Sequence, residues 1–397
     1  MKNELIVAGK EMRDHLTSKR FIVIFAILLL LSVFGLVNGL NDYNKSLDQY
    51  KKDMASRQSD PYFQEYISSI QKRLAEAQSG GASSEDIEMI KMELEQALNP
   101  PMPSVMSVFY NINRYFAFIG LVLGVALGFD LITKEKEEGS LKSLLSHPVY
   151  RDSVLNGKAI GSIGMLAAAM GMIFLITIAI MLIFGVVPTV DDLLRIIAYF
   201  VVGLLFCSVF FSLALMMSTI SKSSSMSMLY ILGLIVALFL LSMVSYNIAD
   251  LIMGAPPQPP DGVYPMPYLE ETVKYQEINI EPVKEPVIGI PGQKPEMSEE
   301  WKKYIEDNQR YWERHGQIIN IFNTISPMEN FNMVSNAIIS NYYPNLLMLS
   351  SSRLIPHYNS TVWDALASQW ISILALIVEM VIALGISYVK FMRMDIR

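Results

Sequence analysis

The chain has 397 residues, 52% of them hydrophobic and only 17% charged, with a formal net charge of −7 and a mean hydropathy of +0.34. Such values lie outside the range of soluble globular domains and mark a membrane protein. No basic patch with interleaved aromatics supports nucleic-acid binding, and a single cysteine, Cys207, excludes an intramolecular disulfide framework.

Residues 1–20, "MKNELIVAGKEMRDHLTSKR", form a charged, amphipathic lead-in. No small-residue cleavage site follows, so the apolar run after it is expected to stay as an anchor. Apolar segments long enough to cross ~30 Å of hydrocarbon occur at 21–40, 115–133, 159–187, 193–218, 226–249 and 369–389. This predicts an all-α polytopic membrane protein of six transmembrane helices. An even number places both termini on one side.

Lys and Arg decide which side. Residues 1–20, 134–158, 219–225 and 390–397 hold 14 basic residues in 60 positions, whereas 41–114 and 251–368 hold 16 in 192. The termini and the 134–158 loop are therefore expected in the cytoplasm. The two long segments are expected to be extracytoplasmic.

The first of these, 41–114, holds two helical patterns, Phe63, Tyr66, Ile67, Ile70, Leu74 and Ile87, Ile90, Leu94, Leu98, separated by "SGGASSED". Ser83 and Ser84 offer N-caps to the second, which predicts an α-hairpin. Segment 251–368 opens on the Pro-rich spacer "APPQPPDGVYPMPY". It continues with the strand-like "TVKYQEINIEPV" and a long amphipathic helix pattern over 298–325, a mixed α/β insertion.

Between spans two and three, 134–158 is charged at both flanks and Leu-studded between them. Leu141, Leu144 and Leu145 share one helical face, and Pro148 stops the helix. A helix this short is not stable alone, which calls for a partner surface. Glu135, Glu137 and Glu138 would sit at its electropositive N-terminal end. The bland alternative is a solvated linker at the membrane surface.

Gly120, Gly124 and Gly128 make a small-residue stripe on span two. Gly157, Gly161 and Gly164 begin another on span three. Both read as helix-packing seams. Glu379, in the middle of the last span, is a possible intramembrane polar site, either a hydrogen-bonded carboxyl in the bundle or part of a cation or proton route. The 25 methionines lie mostly in spans and helices, where Met is ordinary filler.

Catalytic motifs are missing. No GxxxxGK[ST] loop is present; "NGKAIG" around Lys158 shares only a Gly-Lys pair with it. There is no HExxH, paired-Cys or GxSxG motif, and the four histidines are scattered. No catalytic residue, metal or cofactor is expected on this chain.

The stretch "FDLITKEKEEGSLKSLLSHPVYRDSVLNGK" resembles the cytoplasmic signature of membrane subunits of ATP-binding-cassette exporters of the type-two permease family. "AGKEMRDHLTSKRFIVIF" is similar to that family's N-terminal segment, and "ISPMENF" to the segment before its last span. The resemblance implies that residues 135–147 are a coupling helix seated in a cleft of a separate ATPase subunit, with Glu137, Gly139, Leu141, Leu144, Leu145, Ser146 and Pro148 matching the docking pattern. It further implies ATP and Mg on that partner, none on this chain, and pairing of two permease copies in the cytoplasmic membrane. Two functions stay open, an exporter permease and a mechanotransmitter that drives its external domains or an extracytoplasmic protein partner.

Overall fold

The computed structural model describes residues 2–80, 83–100, 102–140, 150–260, 299–339 and 361–394, and every element among them is helical. The strand-like stretch near residue 275 lies outside the described residues, and what is described of 251–368 is helical, so the α/β character expected there gains no support.

α1 (Lys2–Thr17) turns at Ser18 into α2 (Lys19–Ser59). The 41 residues of α2 measure about 61 Å at 1.5 Å per residue, twice the ~30 Å hydrocarbon layer. The first span was expected to end at residue 40; instead the helix runs on unbroken, because no Gly or Pro interrupts 41–59. It stops at Asp60, whose carboxylate accepts from the N–H of Tyr62, with Pro61 at the first helical position. α3 (Pro61–Ser79) then pairs with α4 (Ser84–Leu98), capped by Ser83, through buried Ile67 and Ile70 and an Arg73–Glu93 contact of 3.2 Å. This is the expected α-hairpin, standing on a helical shaft.

α5 (Ser107–Gly128) and the short α6 (Thr133–Glu137) are followed by α7 (Arg151–Ile183), α8 (Val190–Ile220) and α9 (Ser224–Met253). α10 (Glu299–Asn323), α11 (Pro327–Ile339), α12 (Val362–Ser368) and α13 (Trp370–Met392) complete the described chain. Among the described residues six helices are long and apolar enough to cross a membrane: α2, α5 with its extension to Glu137, α7, α8, α9 and α13.

α8 is the axis of the bundle, packed against α5, α7, α9, α11 and α13. In its apolar window 61% is buried, against 11% for α9, which leaves most of its surface uncovered in one protomer. A Thr189–Asp192 capping box opens α8, and Gly185 at φ +74° closes the turn out of α7.

α10 lies antiparallel along α9: Tyr311 Oη donates to the carbonyl of Gly254, and four residues on His315 meets Asp250 at 2.8 Å. α10 therefore descends alongside α9, and the turn at Thr324–Ser326 sends α11 back among α5, α8 and α13. Phe331 at its start is fully buried, stacked on Phe206 at 4.5 Å and tilted on Phe116 at 5.5 Å. At its end the buried Arg195 Nη1 donates to the Ile338 carbonyl at 3.0 Å. Of segment 251–368, expected to be extracytoplasmic, the described α11 thus packs among the helices of the bundle. Thirteen residues of α11 are too few to span hydrocarbon, and neighbouring helices cover them.

Candidate functional site

Both flanks of the charged insert meet α1, α7, α8, α9 and α13 at the foot of the bundle, the end that carries α1 and the C-terminus of α13. The insert's middle, with Leu141, Leu144, Leu145, Ser146 and Pro148, lies outside the described residues. Glu137 and Gly139 are described, and they correct one expectation. α6 ends at Glu137, and Gly139 takes φ +71°, a left-handed conformation that interrupts a helix. A single helix over 135–147 is therefore broken, and any docking helix starts after Gly139.

α6 is pinned to the α8–α9 turn by its own alternating charges. Lys136 Nζ donates to the carbonyls of Thr219 and Ser221, each at 3.0 Å, placing a cation on the electronegative C-terminal end of α8. The next residue reaches the other way: Glu137 accepts from the Ser224 N–H at 3.0 Å and from its hydroxyl at 2.7 Å, an anion on the N-terminal end of α9. Ser218 Oγ accepts from the N–H groups of Ile132 and Thr133 at 3.0 and 3.1 Å, tying the backbone before α6 to the same turn.

Glu135 points to the opposite side. Lys158 Nζ, on a side chain only 4% exposed, lies 2.8 Å from Glu135 Oε1 and 2.8 Å from Glu11 Oε2, so one buried ammonium joins α6, α7 and α1. The close approach of α1 to α7 depends on Gly157 and Gly161. A Cβ on Gly157 would lie 2.6 Å from Val7 Cβ, and one on Gly161 2.6 Å from the Ala8 carbonyl oxygen. Gly164, grouped with them in the sequence, has nothing within 4 Å of such an atom. His15 Nε2 is 3.1 Å from Ser162 Oγ. Burial holds its imidazole below the ordinary value against the pull of Glu11, so its 3.8 Å approach to Glu11 is not a second ion pair of the Lys158 kind.

The insert's other flank is tied to the last span. Arg151, the first residue of α7, donates through Nη1 to the carbonyl of Met392, the last residue of α13, at 3.4 Å and to that of Met394 just beyond it at 3.0 Å. A displacement of the insert thus reaches α1, α7, α8, α9 and α13 through short polar contacts at their ends.

Gly120, Gly124 and Gly128 lie along the α5–α8 seam. Added Cβ atoms there would stand 2.9 Å from Cys207 Sγ, 2.4 Å from the Cys207 carbonyl oxygen and 2.6 Å from the Phe211 carbonyl oxygen. Gly39 makes the same kind of approach between α2 and α5, 2.5 Å from the Val108 carbonyl oxygen, and stands four residues after Gly35 in a GxxxG spacing. Glu379 sits apart from the foot, near the middle of α13, where it accepts from Asn330 Nδ2 at 3.2 Å.

The residues that sequence reasoning passed over are Lys136, Lys158, Glu11 and Arg151. Only Lys136 lies in "KEKEE", whose alternation sends neighbouring charges to different helices; Glu11, Arg151 and Lys158 carry no local signal, because their partners come from distant parts of the chain. No group of three or more His, Cys, Asp or Glu side chains among the described residues is arranged to hold a metal ion. A family model described as "ABC-2 family transporter protein" matches residues 5–396. No curated protein matches the chain.

Proposed function

The chain belongs to the ABC-2 transporter family, and on that premise we propose that it is the permease subunit of an ATP-driven exporter, docked through residues 140–148 on a separate ATPase subunit that carries ATP and Mg. The observation that supports coupling is the pinning of both flanks of the insert, through Lys136, Glu137 and Lys158 on one side and Arg151 on the other. A push on the insert acts on five helices at once. Two copies of the chain would enclose the pathway, which fits the uncovered surface of α9 in one protomer. The foot would face the cytoplasm in the cell membrane, with α3 and α4 outside, following the basic-residue bias of the loops.

The test of docking is the double substitution Leu144→Asp, Leu145→Asp. Desolvating two unpaired carboxylates costs several kcal/mol, so the expected result is a correctly inserted protein that no longer captures the ATPase. Retained capture with undiminished coupled hydrolysis would remove residues 140–148 from the interface. The orientation has its own check. Cysteine placed at the exposed Ser84 should be labelled by an impermeant maleimide on intact cells, and labelling only after lysis would reverse the topology.

One observation favours a second reading, a mechanotransmitter in which nothing crosses the membrane. α2 runs without a break from the foot to Ser59 and carries the α3–α4 hairpin directly. Transport assays on a reconstituted complex separate the two: substrate-stimulated ATP hydrolysis belongs to the exporter, and external conformational change without any such stimulation belongs to the transmitter.

A further inference from the structure

Asn330 is 1% exposed and opens α11 just after the turn at Thr324–Ser326. Its amide nitrogen donates twice, to the Thr324 carbonyl at 2.9 Å and to Glu379 Oε1 at 3.2 Å. These two bonds use both amide hydrogens and fix which way the amide faces, since exchanging its oxygen and nitrogen would set the amide oxygen against the Thr324 carbonyl oxygen. Two buried oxygens then have no hydrogen-bond partner: Asn330 Oδ1 and Glu379 Oε2. Both are acceptors, and they belong to the two planar groups already joined by one N–H···O bond.

What the pair lacks is one donor. The titratable and charged groups on surrounding elements are Glu329 beside Asn330, Tyr110, Arg114 and Tyr115 on α5, Asp191, Asp192, Arg195, Tyr199 and Cys207 on α8, and Tyr388 and Lys390 toward the end of α13; Arg195 pairs with Asp191 and donates to the Ile338 carbonyl at the far end of α11. The charges of α7, Arg151, Asp152 and Lys158, are gathered at its foot, and Asp364 of α12 is held in the capping box with Thr361. Among the described residues no ion pair joins any of them to Glu379. A proton on Glu379 Oε2 supplies the missing donor. It would close a cyclic acid–amide pair, N–H to Oε1 and O–H to Oδ1, in which both planar groups are satisfied.

We propose that Glu379 is a proton-binding site, and that its bound proton latches the inserted α10–α11 hairpin onto α13. The carboxyl is then a neutral hydrogen-bond donor when the hairpin is seated, not a fixed charge lining a cation route. Losing the proton sets a carboxylate beside the Asn330 carbonyl oxygen in a buried place, which costs free energy and favours withdrawal of α11. Seating is therefore strongest at low pH and weakens as pH rises.

The experiment uses the full chain in lipid nanodiscs. Infrared difference spectra of the wild type against Glu379→Gln, near neutral pH, should show a protonated-carboxyl stretch that the variant lacks. Hydrogen exchange of α11, corrected for the chemical rate, should speed up with rising pH in the wild type. In Glu379→Gln, whose amide donates without ionising, it should stay slow. If that variant does not fold, the wild type alone carries the test through reversible loss of the stretch together with faster α11 exchange. An ionised-carboxylate stretch at neutral pH overturns the proposal. So does a carboxyl band that shifts on adding sodium or ammonium ions, or α11 exchange indifferent to pH.

Discussion

Replacing Lys158 with Met should lower the thermal stability of the purified protein more than removal of any other charge at the foot. The side chain is 4% exposed and lies 2.8 Å from carboxylates of both α1 and α6. Met fills its volume but leaves the buried Glu11 and the half-buried Glu135 without a cation, a loss of about 3–5 kcal/mol for a broken buried pair. Glu135 Oε2 already lacks a hydrogen-bond partner, so it has little to fall back on. Adding Glu11→Gln and Glu135→Gln to the same variant should restore much of the loss, because an uncharged cluster has no stranded ion. Arg20→Ala is the contrast: Arg20 meets Asp130 at 2.9 Å but is 74% exposed, so its removal should cost ~0–1 kcal/mol. Melting curves in detergent decide the matter. A Lys158→Met protein as stable as wild type would mean that α1 and α6 are not held through this ammonium.

The second large effect is expected from Gly124→Leu. An added Cβ meets backbone, 2.4 Å from the Cys207 carbonyl oxygen and 2.9 Å from the Phe211 nitrogen, and neither can rotate away. The two helices must separate, and overpacking of that kind costs about 3 kcal/mol at the upper end of its usual range. Cys207 and Phe211 are fully buried, so the bundle axis itself would be disturbed. A loss of monodisperse protein on size exclusion is the expected outcome. Gly164→Leu provides the control, since nothing lies within 4 Å of its added atom. If both variants behaved alike, the α5–α8 contact would not be the seam that sets helix spacing.

The contrast between these two glycines shows what a stripe in a sequence can and cannot tell. Gly120, Gly124 and Gly128 are four apart on one face, and α8 lies against that face. Gly157, Gly161 and Gly164 look equally regular, but α1 covers only the first two. Spacing identifies a face; it does not say where a neighbouring helix ends.

The six apolar helices were legible from the residues because crossing hydrocarbon demands a long run of apolar side chains whatever else the chain does. The α3–α4 hairpin was legible for a similar reason, with its apolar period and Ser83 cap both local signals. α11 was not, since thirteen residues announce no span and the Phe116, Tyr199 and Phe206 rings that bury Phe331 come from distant parts of the chain. In the same way, "KEKEE" reads as a solvated charge run. Only the arrival of the α8 and α9 ends, and of Lys158 from the next helix, gives Glu135, Lys136 and Glu137 three different partners. Local composition determines which segments leave water, because transfer free energy sums along a segment. Which charges are buried together depends on contacts between residues as far apart as Glu11 and Lys158, and those distances are set by helix packing.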